Sequence, residues 1–165
     1  MTQKEILLGQ LEACQDKNHW FVAMSGALKG LTAEQAAAAS KNGAHSVREI
    51  LYHVMYWNER YLQRFNGREP PEPKNNDATF SAGGAGQSEA EWRALVERFD
   101  SAMNGWKKTI READEAALAA PIRKDSAASW HSALADMMIH TAYHIGQIVT
   151  LRKLQGTWDS AQGVN

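Results

Sequence analysis

Apolar positions recur at helical spacing along most of the chain, and the recurrence breaks at a few well-marked places. From Thr2 to Gly30, the residues Ile6, Leu7, Leu11, Cys14, Phe21 and Leu28 predict one long helix, with Asp16 to Asn18 weakening the pattern as the place for a kink. Thr32-Ala-Glu-Gln35 has the form of a capping box, in which two side chains three apart satisfy each other's backbone N–H groups. It opens a short helical turn through the alanines to Ser40. Ser46-Val-Arg-Glu49 is a second box, and the stripe Val47, Ile50, Leu51, Val54, Trp57, Tyr61, Phe65 carries a helix to Asn66, with Gly67 as its stop. Ser88-Glu-Ala-Glu91 opens the next, which runs to Ala113 through Trp92, Leu95, Val96, Phe99, Met103, Trp106 and Ile110. The last runs from Ser129 to Gln155 and closes at Gly156. Between Gly67 and Gln87, Pro70, Pro71, Pro73 and the run Gly83 to Gly86 leave no period, so this stretch reads as a long connection.

Four long helices with no alternating strand pattern and no internal repeat predict an all-α four-helix bundle over residues 1–156, followed by a polar tail, 157–165. Short connections join the first helix to the second and the third to the fourth, which favours antiparallel neighbours. The long crossover between helices 2 and 3 lets those two run parallel, giving an up-down-down-up order.

Composition narrows the function. Lys and Arg number 18 against 19 Asp and Glu, which gives no electrostatic footprint for nucleic acid or an anionic membrane. Lys4, Glu5 and Glu12 interrupt the N-terminal apolar residues, and no apolar run reaches membrane-spanning length; the expectation is a soluble cytoplasmic protein. A single cysteine, Cys14, suits a reducing compartment and the role of a packed small side chain. Six tryptophans are many for this length and are expected in the core or around a pocket. The glycines at 83, 84 and 86 lack the following Gly-Lys-Ser/Thr of a phosphate loop.

The chemistry concentrates in the last helix. His140 and His144 stand four apart, so both imidazoles reach one point in space, the spacing by which a helix chelates a metal ion. With six histidines in the chain such a pair arises easily by chance, so a third donor from another helix is required. His53 on the second helix is the candidate, at the edge of the apolar stripe in a column with Glu49, Trp57 and Arg60. In an up-down-down-up bundle the three fall in the same half. His131, about half a turn of azimuth from His140, faces away; His45 adjoins a helix cap, and His19 follows the irregular patch.

These residues resemble the DinB/YfiT-like superfamily. The likeness lies in His53 within Ser46 to Asn58, and in His140-x3-His144 followed by Ile145-Gly-Gln147-Ile148 and then Leu151-Arg152. The resemblance implies an up-down-down-up bundle with a divalent metal held by His53, His140 and His144. It also implies a functionally diverse family, some of whose members are metal-dependent enzymes transferring low-molecular-weight thiols. It implies no DNA binding. Three imidazoles without a cysteine suit zinc, nickel, iron or cobalt, and three protein ligands leave positions open for a small-molecule substrate. Glu49 and Gln147 are candidates to orient the imidazoles from behind. Trp57, Phe80 and Trp158 are candidates to line or cover the pocket, with its mouth rimmed by the Lys41 to His45 loop, Ser81 to Gln87 and the tail. Free imidazoles protonate near pH 6.5, so metal is expected to leave as pH falls through that value. Two functions stay open: a metal-dependent transferase, isomerase or hydrolase, and a non-catalytic metal-binding or stress-associated module. The small apolar face Ala135, Met138, Ala142, Gly146, Val149 suggests a homodimer contact beside burial in the bundle.

Overall fold

The computed structural model describes residues 1–39, 43, 45–81 and 88–163. Among them the chain forms α1 (Gln3–Gln15), α2 (Met24–Leu28), α3 (Ala33–Ala37), α4 (Val47–Phe65), α5 (Glu89–Glu112), α6 (Glu115–Ala119) and α7 (Trp130–Gln155). Two 3₁₀ turns, Asp77–Phe80 and Ser160–Gln162, complete the helical structure. No strand forms among the described residues; a single antiparallel bridge joins Pro121 to Ser129. No helix among them is long and apolar enough to cross a membrane.

The helices start where their caps dictate. Thr2 with Glu5, Thr32 with Gln35, Ser46 with Glu49 and Ser88 with Glu91 each form the reciprocal capping box. Gly67 (φ +76°) and Gly156 (φ +68°) end α4 and α7 in the left-handed region, which a side chain with a Cβ disfavours.

The first helix departs from its expected span and ends at Gln15. The Asn18 side chain accepts from the Ala23 N–H at 2.9 Å, offering the backbone an alternative to the helical ladder, and the helix resumes only at α2. Two elements without a periodic signature also appear. Asp114 caps α6 through Ala117 N–H, and Asn75 Oδ1 accepts from Ala78 N–H at 2.9 Å to fold the 3₁₀ turn Asp77–Phe80 out of the proline-rich connection. Arg60, buried on α4, anchors that connection by donating to Pro71 O and pairing with Glu72 at 2.8 Å.

Of the long helices, α4 packs on α5 and α7, and α1 packs on the same two. Trp106, Phe99, Leu51, Met55, Leu134 and Ile148 are fully buried between them. Two of the buried indoles have a polar partner: Trp92 Nε1 donates to Leu31 O and Trp106 Nε1 to Asn58 O, each at 3.1 Å. Trp20 departs from the expected core or pocket position, 97% exposed in the loop after α1. Cys14 is a packed side chain whose Sγ donates to Met138 O, and burial pushes its thiol up to about 12. Of the small face on α7, Met138 is buried, Ala135, Ala142 and Val149 are half-buried, and Gly146 is exposed. Beyond α7 the chain folds back instead of trailing. Arg152 donates to Thr157 O at 2.6 Å and stands over the Trp158 ring, while Asn18 reaches Gln162 O.

Candidate metal centre

The α4–α7 contact brings three histidines together. His53 Nε2 lies 3.1 Å from His140 Nε2, and His144 Nε2 lies 3.0 Å from the same atom. All three offer a ring nitrogen within 4.8 Å of the other two. His53 is more deeply placed than the edge of an apolar stripe suggests, at 3% exposure. The cause is the 3₁₀ turn: Phe80 stacks on the His53 ring at 3.8 Å between centroids, and Thr79 reaches its far nitrogen.

Hydrogen bonds behind the rings decide which nitrogen is bare. Thr79 has one hydroxyl proton and donates it to Asn76 O at 2.5 Å. Its oxygen can therefore only accept at His53 Nδ1, 2.7 Å away, so His53 carries its proton on Nδ1 and presents a lone pair at Nε2. On α7 the Gln147 amide donates from Nε2 to Tyr143 OH at 3.0 Å, which turns Oε1 toward His144 Nδ1 at 2.7 Å. His144 is thereby fixed in the same tautomer. His140 Nε2, between the two, can hold at most one proton and can answer only one of these neighbours. One pair of lone pairs is left facing, and a cation among the three nitrogens removes that repulsion.

The donor set fits a divalent metal. Metal–imidazole bonds of about 2.0–2.1 Å place adjacent donors roughly 2.9 Å apart at octahedral angles and roughly 3.3 Å apart at tetrahedral ones. The two nitrogen separations, 3.1 and 3.0 Å, fall in this interval. Burial, followed by repulsion from the other two histidines, pushes His53 down to about 3. Burial and His144 push His140 down to about 4, and burial lowers His144 as well. The triad is thus neutral at pH 7 and below it, the state a metal requires. Protonation near pH 6.5, the value of a free imidazole, does not describe these rings.

The other sequence candidates are placed as follows. Trp57 sits edge-on to His53 with centroids 6.4 Å apart and lines the pocket. Glu49 does not orient His53; Ser46 N–H and Oγ both donate to its carboxylate, at 2.7 and 2.9 Å, in the capping box. Thr79 holds the role assigned to Glu49. Trp158 is not at the site either: it lines a separate cleft with Phe21, Val22 and Val149, where Arg152 holds it. His131 lies 3.2 Å from Glu115, His19 is exposed in the loop after α1, and His45 stacks on the outer face of Phe80 at 3.8 Å. The glycine-rich segment expected to cover the mouth, 82–87, and most of the loop before α4 lie outside the described residues.

A cavity of about 590 Å³ opens beside the triad, lined by Trp57, Tyr61, Phe80, Met137 and Tyr143 and also by Asn76, Ile122 and Asp136. A second cleft of about 660 Å³ reaches His144 from the other side of Phe80, past His45 and Gln147. The walls are mostly apolar, with a few polar groups among them.

The family model of the DinB superfamily matches residues 17–148, a span that takes in all three histidines. No curated protein and no solved structure matches the chain.

Proposed function

Since the chain belongs to the DinB superfamily, we propose that it is a divalent-metal-dependent enzyme acting on a small molecule, with the transfer of a low-molecular-weight thiol to an electrophile as its reaction. The observation that carries this reading is the convergence of three imidazole Nε2 atoms, two with their protons held away on Nδ1 by Thr79 and Gln147. Three protein donors, with no fourth beside them among the described residues, suit a catalytic site, where structural ions are usually closed in by four. When bound, the ion would supply Lewis acidity, holding a thiol as thiolate or acidifying a water.

The chain's own residues supply orientation and a dry wall. Thr79 and Gln147 fix two rings in place, Phe80 shields His53 from water by stacking on it, and Trp57, Tyr61 and Met137 offer an apolar bed for the substrate. The bundle underlying this reading is up-down-down-up. That order is supported by contacts pairing Glu59 with Arg98 and Phe65 with Trp106 along α4 and α5, against His53 with His140 and Phe65 with Trp130 along α4 and α7.

The test is the consumption of a small thiol with an electrophilic co-substrate by protein freed of any histidine tag. Turnover that disappears on chelation and returns with added metal supports the enzyme. Stoichiometric metal with no turnover across a broad panel of thiols and electrophiles would favour the non-catalytic binding module.

A further inference from the structure

Asp136 stands on α7 one helical turn before His140, so it shares the face that carries His140 and His144. It is exposed, and its carboxylate makes no hydrogen bond or ion pair with any described residue. Around it the cavity is aromatic and apolar: Trp57, Tyr61, Phe80 and Tyr143 contribute ring surface, and Asn76 adds one amide. No Lys or Arg is among the lining residues. Arg64 is engaged with two of the lining residues, standing over the Tyr61 ring at 5.4 Å from its centroid and donating to Ile122 O at 3.4 Å. Apart from the ion the histidines would hold, the lining therefore carries one formal charge, the Asp136 carboxylate, together with the rings of Trp57, Tyr61 and Tyr143; Phe80, stacked on both faces by His53 and His45, offers only its edge.

That combination is the chemistry that recognises a cation. We infer that the substrate of this site is an apolar or aromatic small molecule bearing a positively charged amine, which Asp136 and the aromatic wall bind while its reacting group meets the three histidines. The inference deepens the enzymatic reading above and rests on it for the reacting end only. A carboxylate left unpaired inside an anionic-substrate pocket would repel its own ligand, whereas here it neutralises a cationic one. Asp136 also sits at a workable distance: one turn of helix is about 5.4 Å along the axis, the span of a short alkyl chain between amine and reacting atom.

The experiment uses the metal-bearing full chain and two probes that cannot ligate a metal: 2-phenylethyltrimethylammonium and its uncharged carbon isostere. Binding is read from tryptophan fluorescence and checked by calorimetry, with metal content measured on every sample. The cation should bind about tenfold more tightly than the isostere. Asp136→Asn should cut that preference severalfold by weakening the cation alone, down to what the rings supply, leaving isostere affinity and metal content unchanged. Equal affinity for the two probes, no binding of either, or a preference undiminished in Asp136→Asn would overturn the assignment. Loss of metal from the native protein with the charge preference intact would instead count against the metalloenzyme reading and leave Asp136's role standing.

Discussion

Replacing Thr79 by valine removes one hydroxyl and keeps the shape of a side chain that is fully buried. Two bonds go with it: the acceptor for His53 Nδ1–H at 2.7 Å, and the donor to Asn76 O at 2.5 Å. At 3% exposure His53 has no water to take over, so either its Nδ1–H stays unsatisfied or the proton moves to Nε2. The first outcome costs about 1–3 kcal/mol of stability. The second places a proton where the metal should bind, and losses at such orienting positions run to about 10–100-fold in metal affinity. The variant should therefore bind zinc about 10–100-fold more weakly in competition with a chromogenic chelator. Its metal-free form should lose about 1–3 kcal/mol in urea denaturation. Thr79→Ser, which keeps the hydroxyl, should recover most of the affinity. Zinc affinity within twofold of the native protein for Thr79→Val would refute the tautomer argument, because the ring would then be held without its Thr79 partner at Nδ1.

Three further outcomes follow from the same structure. His53 is pushed down to about 3 and His140 to about 4, so below pH 6.5 the unfolded chain takes up protons that the folded triad refuses. The metal-free protein should lose stability as pH falls from 6.5 toward 4, with no contribution from these groups above 6.5. Buried His53 adds up to about 1.4 kcal/mol per pH unit, a slope that His53→Phe should remove from urea midpoints and that would be disproved by an unchanged slope. Bound metal should likewise persist below pH 6.5 in dialysis. Trp106→Phe strips the buried donor from Asn58 O and leaves a void in the fully buried ring's place. It should cost about 1–3 kcal/mol in denaturant without changing metal content, and a near-neutral variant would mean the carbonyl finds another partner.

The helices that carry the site were legible because local signals and tertiary demand agree there. Ser46 with Glu49 starts α4, Gly67 ends it, and Gly156 ends α7 in the left-handed region that its position requires. The pairing of His140 with His144 is a property of the helix itself, and the join to His53 follows once α4 packs on α7. What stayed hidden came from segments without a period. Thr79 and Phe80 belong to a 3₁₀ turn folded by Asn75, in a connection that Arg60 anchors further upstream at Glu72, contacts that no spacing announces. Glu49 misled for an identifiable reason: its column with His53 is real, but the capping box that begins α4 already engages its carboxylate. The long first helix failed at Asn18, where a short amide competes with the helical ladder for Ala23 N–H. Trp158 looked like a lid because it is aromatic in a polar stretch, and Arg152 holds it against another cleft.

Elemental analysis of the tag-free protein tests the central claim most directly. One equivalent of a divalent transition metal should accompany each native chain and each His131→Ala chain, whose imidazole lies beside Glu115, away from the triad. It should be absent from His140→Ala and His144→Ala chains that remain folded by circular dichroism. Full metal content in the His144→Ala protein would contradict the three-histidine site.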